Sequence, residues 1–225
     1  MEAIQACLLI LALLVTSASQ IYINRSYNKT KRIKNRAGIT GAQTARKILD
    51  ENGLSNVKVE EVRGVLGDHY DPRTKTVRLS SDIYRNTSIA SASVAAHECG
   101  HAIQDKEGYF FLKLRNSIVP LVNFASYAGY FAILIGVIAS SLKIIWIGII
   151  AEVVILVFQL ITLPVEFDAS KRALKQLEKQ KILEKIEIST SKKMLTAAAL
   201  TYVASVTATI LEILRLLIAV GGRDD

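Results

Sequence analysis

Val94-Ala95-Ala96-His97-Glu98-Cys99-Gly100-His101-Ala102-Ile103 is the stretch around which the rest of the chain is organised. Residues four apart on an α-helix lie one turn apart on the same face, so a helix here stacks His97 over His101. Two imidazoles so placed can share one zinc ion at ~2.0–2.1 Å. Glu98, beside the first of them, can reach a water on that ion without itself ligating, which is the division of labour in the helix of a zinc peptidase. A surface helix with two incidental histidines is the competing reading. The flanks weigh against it: Ala95, Cys99, Gly100 and Ala102 are small and uncharged, Ile103 is apolar, and no proline interrupts the run. The chain has three histidines, and two of them are here.

Residues 38–115, which surround the motif, read as a small soluble region. Thr40-Gly41-Ala42-Gln43 has the form of a capping box and Gly53 that of a helix stop, which predicts a helix between them. Val57, Val59 and Val62 alternate as in a strand. Leu66 to Tyr70 and Thr76 to Ser80 flank Asp71-Pro72-Arg73-Thr74, where proline at the second turn position predicts a hairpin. Asn86-Thr87-Ser88 supplies caps for the start of the motif helix, and Gly108 marks its end. Helix, strands and helix in that order predict an α+β domain. Cys99 falls off the His97–His101 face and reads as a small packing residue. Cys7 lies in an apolar run, and two cysteines so placed are not a disulfide framework.

Further out the chain becomes apolar. It has 225 residues, 51% of them hydrophobic, with a mean hydropathy of +0.31. That is too apolar for an ordinary soluble domain and predicts several membrane spans. Ile4 to Ile23 is long enough to cross a hydrocarbon core of ~30 Å. A signal peptide would need basic residues before the run, whereas Glu2 precedes it and Arg25, Lys29, Lys31, Arg32, Lys34 and Arg36 follow it. Ile118 to Ser140 and Ile144 to Leu163 are a second and third span joined by a very short link, and Pro164 is expected to break the run. Residues 171–193 are basic in excess, and Met194 to Val220 is a fourth span. The net charge of +8 sits beside these runs. That placement predicts cytoplasmic loops by the positive-inside rule and gives no motif for nucleic acid. Within the spans, Arg215 is expected to bridge Glu212, three residues away, and Glu152 on the third span.

A catalytic zinc needs a third protein ligand and an open position. His69 and Glu166 are the candidates, and the residues alone leave the choice open. Two spans between the motif helix and Glu166 return the chain to the side it left, so His97, His101 and Glu166 can meet on the cytoplasmic face.

Four blocks carry a resemblance: Gly67-Asp68-His69-Tyr70-Asp71-Pro72-Arg73-Thr74; Ala95-Ala96-His97-Glu98-Cys99-Gly100-His101-Ala102-Ile103-Gln104; Leu163-Pro164-Val165-Glu166-Phe167-Asp168-Ala169-Ser170; and Ala197-Ala198-Ala199-Leu200-Thr201-Tyr202-Val203. Together they resemble the membrane-bound putative neutral zinc metallopeptidases of the YugP type over nearly the whole chain. A looser similarity is to gluzincins, including the HtpX-type membrane proteases. There a glutamate opening an E-x-x-x-D pattern is the third ligand. That similarity implies His97, His101 and Glu166 as zinc ligands and Glu98 as general base. Ser170 stands where the broader pattern has an aspartate that orients a zinc-bound histidine. Asp168 and Ser170 are therefore both candidates for that supporting role. His69 and Tyr202 are candidate donors to the oxyanion.

The expected architecture is a small zincin-like α+β domain combined with about four transmembrane helices, mostly α. Residues 1–24 form the first span, 25–117 a cytoplasmic domain with the motif helix, 118–163 a transmembrane hairpin, 164–193 a cytoplasmic segment with the third ligand, and 194–220 the fourth span. The expected function is that of an integral, multi-pass cell-membrane zinc metalloendopeptidase. It would act on polypeptides near the cytoplasmic surface, with Zn²⁺ as cofactor, the bilayer as its other partner and no nucleic acid. One strand of the 66–80 hairpin, Thr76 to Ser80, is expected to pair with an extended substrate. The alternative is a catalytically inactive metal-binding membrane scaffold. A closed structural site is hard to build from three histidines and two dispersed cysteines. No motif assigns an oligomeric state.

Overall fold

The fold follows from a computed structural model that describes residues 1–64 and 67–221. Its elements are α1 (Glu2–Lys31), α2 (Gly41–Glu51), β1 (Lys58–Val62), β2 (His69–Asp71), β3 (Thr76–Ser80), α3 (Ser81–Arg85), α4 (Ile89–Glu107), α5 (Phe110–Ile138), α6 (Leu142–Lys179) and α7 (Lys185–Gly221). The chain is mostly α-helical with a small α+β region. It divides into two compact units: Tyr22–Lys113 with Pro164–Ala199, and Met1–Ile21 with Leu114–Leu163 and Leu200–Asp225.

Local chemistry sets the ends of the helices in the first unit. At α2 the Gln43 N–H donates to Thr40 Oγ1 at 3.1 Å and the Thr40 N–H donates to Gln43 Oε1 at 2.8 Å, a complete capping box. At α4 the Ser91 N–H donates to Ser88 Oγ at 3.0 Å. The helix stops at Gly108, whose φ of +68° is left-handed and suits glycine. The turn before β3 is tied by Asp71, whose carboxylate accepts from the Arg73 N–H at 2.9 Å and from Thr74 Oγ1 at 2.8 Å.

The sheet order is β1-β3-β2. β2 pairs antiparallel with β3 in the register Tyr70↔Val77, and β1 pairs parallel with β3 in the register Glu60↔Arg78. The expected hairpin is present with a shorter first strand, and Leu66 lies outside the described residues. Its outer edge is not the expected one. β3 (Thr76–Ser80) is the central strand, paired on both sides, so its backbone cannot accept a further chain; the edges are β1 and β2. Val77 and Leu79 are fully buried. They join α2 (Ala45, Ile48, Leu49), α4 (Ala92, Ala95, Ala96, Cys99) and the later residues Ala173, Leu177 and Ile182 in one apolar core.

Pro164 does not break its helix: α6 is continuous from Leu142 to Lys179. Proline removes one rung of the hydrogen-bond ladder. Beyond it Val165, Ala169, Ala173 and Leu177, spaced four apart, are each fully buried and hold the helix on the core of the first unit. One close approach fixes where they lie. A Cβ on Gly100 of α4 would meet the Ala169 carbonyl oxygen of α6 at 2.6 Å, so only glycine permits this crossing.

The second unit contains the apolar parts of α1, α5, α6 and α7, and these four helices are long and apolar enough to cross a membrane. α5 and α6 form a tight hairpin about Ala139–Ser141, with the Ser141 N–H on the Gly136 carbonyl at 2.9 Å and Ser140 left-handed at φ +51°. Ile145 and Ile149 pack with Leu216 and Val220 of α7. Arg215 pairs with Glu212 at 2.5 Å within α7. Among the described residues it makes no ion pair with Glu152, so the expected bridge to the third span is not formed. Glu212 is one turn away on the same helix and is reached without any tertiary adjustment.

Candidate metal centre

Three side chains from two helices of the first unit converge. α4 presents His97 and His101 one turn apart, their ring centroids 4.8 Å apart and nearly perpendicular. α6 presents Glu166, whose Oε2 lies 3.2 Å from His97 Nε2 and 3.8 Å from His101 Nε2. One donor atom from each residue lies within 4.8 Å of the others. Donors at ~2.0–2.1 Å around a tetrahedral zinc are separated by roughly 3.3 Å, which the two observed separations bracket. Two imidazole nitrogens and a carboxylate are also the donor types zinc takes in open, three-ligand sites. The residues present therefore fit such an ion.

Both histidines meet a further side chain at Nδ1. Ser170, one turn after Glu166 on α6, places its Oγ 3.2 Å from His97 Nδ1. His101 Nδ1 lies 3.0 Å from Gln104 Oε1. Asp168 lies off the face that carries Glu166 and Ser170 and is aimed at Gln104 and Arg172 instead. Gln104 was not among the residues singled out from the sequence. Its signal was its position three residues past His101, on the same helical face.

Glu98 is buried on α4. Burial pushes its carboxyl up to about 7; His97 opposes the shift, Glu166 and Asp68 reinforce it, and a hydrogen bond from the Tyr70 backbone opposes it. Asp68, also raised by burial, accepts from the Ser80 N–H at 2.7 Å and pins β2 to the start of α3. His69 stands apart from the three-donor cluster: it is exposed and its Nδ1 lies 2.7 Å from the Gly67 carbonyl. The Tyr70 hydroxyl donates to Asp105 at 2.7 Å. Tyr202 lies on α7 in the second unit.

Comparison with known proteins adds an independent line. A family model described as "Putative neutral zinc metallopeptidase" matches residues 5–221. A Bacillus subtilis (strain 168) protein described as "Putative membrane protease YugP" is 45% identical over 219 residues, covering 97% of each chain. No solved structure matches the chain. The metal that this family implies is Zn²⁺.

Proposed function

This chain belongs to the neutral zinc metallopeptidase family, and on that premise we propose that it is an integral-membrane zinc endopeptidase with His97, His101 and Glu166 as its metal ligands. The observation that carries this reading is the convergence of three zinc-type donors from α4 and α6 beside a buried carboxyl, that of Glu98. Zinc held there would supply a Lewis acid for the scissile carbonyl and would lower the pKa of the attacking water. The remaining chemistry falls to the chain. Glu98 takes the proton of the attacking water and hands it to the leaving amine. Ser170 holds His97. On the first unit, His69 is the candidate donor to the developing oxyanion.

An extended peptide would add to the outer edge of β2 rather than to β3, because β3 is paired on both sides and β2 is the edge strand that Tyr70 ties to α4 through Asp105. That edge offers three residues, His69–Asp71. The four apolar helices would cross the bilayer, with the basic residues 25–36 and 171–193 on the cytoplasmic side by the positive-inside rule. The substrate would then be a polypeptide reached from the cytoplasmic face of the cell membrane.

Glu98→Gln tests the reading. It removes the general base and no ligand, so zinc content should persist while peptide hydrolysis falls by at least ~10². Undiminished cleavage in that variant would refute the mechanism.

A further inference from the structure

We propose that Gln104 is a positioning residue that holds His101 in the tautomer with Nδ1 protonated and Nε2 bare. The proposal rests on the zinc-site reading above and assigns a task within it. A neutral imidazole carries one proton on either nitrogen, and only the bare nitrogen can take a metal. The two histidines are treated differently in this respect. His97 Nδ1 faces the Ser170 hydroxyl, which can donate or accept, so the contact at Nδ1 does not itself select a tautomer. His101 Nδ1 faces the amide of Gln104, whose two ends are not equivalent.

The orientation of that amide is set by what its nitrogen meets. Gln104 Nε2 donates to the Val165 carbonyl at 2.8 Å and to Asp168 Oδ2 at 2.9 Å. Both partners present accepting oxygens, the Val165 carbonyl one that can never donate, so both amide protons are used. Turning the amide over would set its oxygen against two accepting oxygens and lose both hydrogen bonds. Gln104 is fully buried, so water cannot substitute. Oε1 must therefore face His101, and an oxygen there can only accept. In the neutral ring Nδ1 is then the donor, and Nε2, 3.8 Å from Glu166 Oε2, carries the lone pair.

The anchor continues outward. The Arg172 Nε donates to Asp168 at 2.5 Å and its Nη1 donates to Glu107 at 2.6 Å. Arg172 holds the Asp168 carboxylate aimed at the amide. The sequence runs from α4 to α6 and back to α4. It performs for His101 the orienting role that the broader pattern gives to an aspartate at the position held here by Ser170.

The test uses full-length protein in detergent micelles with ¹⁵N-labelled histidine. The chain has three histidines, so the ring nitrogens are few, and His69→Asn and His97→Asn assign them by subtraction. At about pH 8, where a free imidazole is neutral, the metal-free wild type should show His101 with a protonated Nδ1 and an unprotonated Nε2. Gln104→Met keeps the length and removes the amide. It should release His101 into a mixture of tautomers and weaken zinc binding 10- to 100-fold in a chelator competition. A wild-type His101 protonated at Nε2 overturns the proposal whether or not the variant folds. A Gln104→Met protein that keeps the single tautomer also overturns it. Glu166→Ala separates the two levels: if it abolishes zinc binding while Gln104→Met leaves affinity unchanged, the site stands and the role of Gln104 falls. If Glu166→Ala keeps full zinc affinity, the site itself falls.

Discussion

Gly100→Ala puts the geometry of the centre to a quantitative test. In an ordinary helix interior this change stabilises by roughly 1 kcal/mol, because alanine loses less backbone freedom on folding. Here the added Cβ would stand 2.6 Å from the Ala169 carbonyl oxygen and 3.2 Å from both its carbonyl carbon and its Cα. These are backbone atoms of α6 and cannot rotate away. Bringing the oxygen out to the 3.0 Å that real Cβ atoms keep moves α6 relative to α4 by about 0.4 Å. Glu166 and Ser170 flank Ala169 on α6 and must move with it, while His97 and His101 stay on α4. Metal–ligand distances tolerate about ±0.2 Å, so the displacement exceeds what the site can absorb. Overpacking of this kind costs about 1–3 kcal/mol, which corresponds to roughly 5- to 150-fold in zinc affinity if it falls wholly on the bound state. Chelator competition on purified protein reads the affinity, and thermal melting of the metal-free protein reads the share that falls on the fold. An Ala variant that binds zinc within about twofold of wild type and melts no lower than wild type would refute the claim that this crossing sets the site.

Other outcomes are open to direct measurement. Purified protein should carry about one zinc per chain by the three-ligand argument; Glu166→Ala should lose most of it and His69→Ala should not, and the reverse pattern would move the third-ligand role to His69. In intact cells, cysteines placed at Lys34 and Lys179 should be shielded from an impermeant reagent while one at Ser141 reacts, and labelling at Lys179 would put the basic segment after Glu166 outside. Arg78, with help from Thr74 and the Arg73 N–H, holds the Asp71 carboxyl well below the usual carboxylate range. A depressed folded-state value means that this contribution is complete above the unfolded value of ~3.9 and is lost as pH falls toward the folded one. Melting temperature between pH 5 and pH 3 should therefore drop more steeply for wild type than for Asp71→Asn, and equal slopes would remove Asp71 from the hairpin's acid sensitivity.

Local signals were the legible part of the fold. The pairing of Thr40 with Gln43, the Ser88 cap, the glycine stop at position 108 and the Asp71 turn each involve neighbours in sequence, and their chemistry can be read without tertiary context. The apolar runs were legible for the same reason. Strand order was not: β1 pairs with β3 and bypasses β2, and nothing within either strand encodes that choice. Pro164 was misread because its local cost was visible and the buried stripe that outweighs it, from Val165 to Leu177, depends on a core built by other segments. At the centre, the spacing of His97 and His101 is a helical fact and could be read directly, whereas the residues left His69 and Glu166 both open as third ligand and the resemblance pointed to Glu166. Gln104 escaped notice because what gives it a task is the Val165 carbonyl, 61 residues away.

The distance along the chain between the two halves of the centre also sets a schedule for its birth. His97 and Glu166 are separated by 69 residues. At the usual 5–20 residues per second of synthesis, the carboxylate leaves the ribosome roughly 3–14 s after the histidines. Throughout that interval the nascent chain offers a histidine pair alone, a weak and readily exchanged perch for a metal. On the proposed ligand set, the centre is thus completed only after the intervening apolar hairpin has been made.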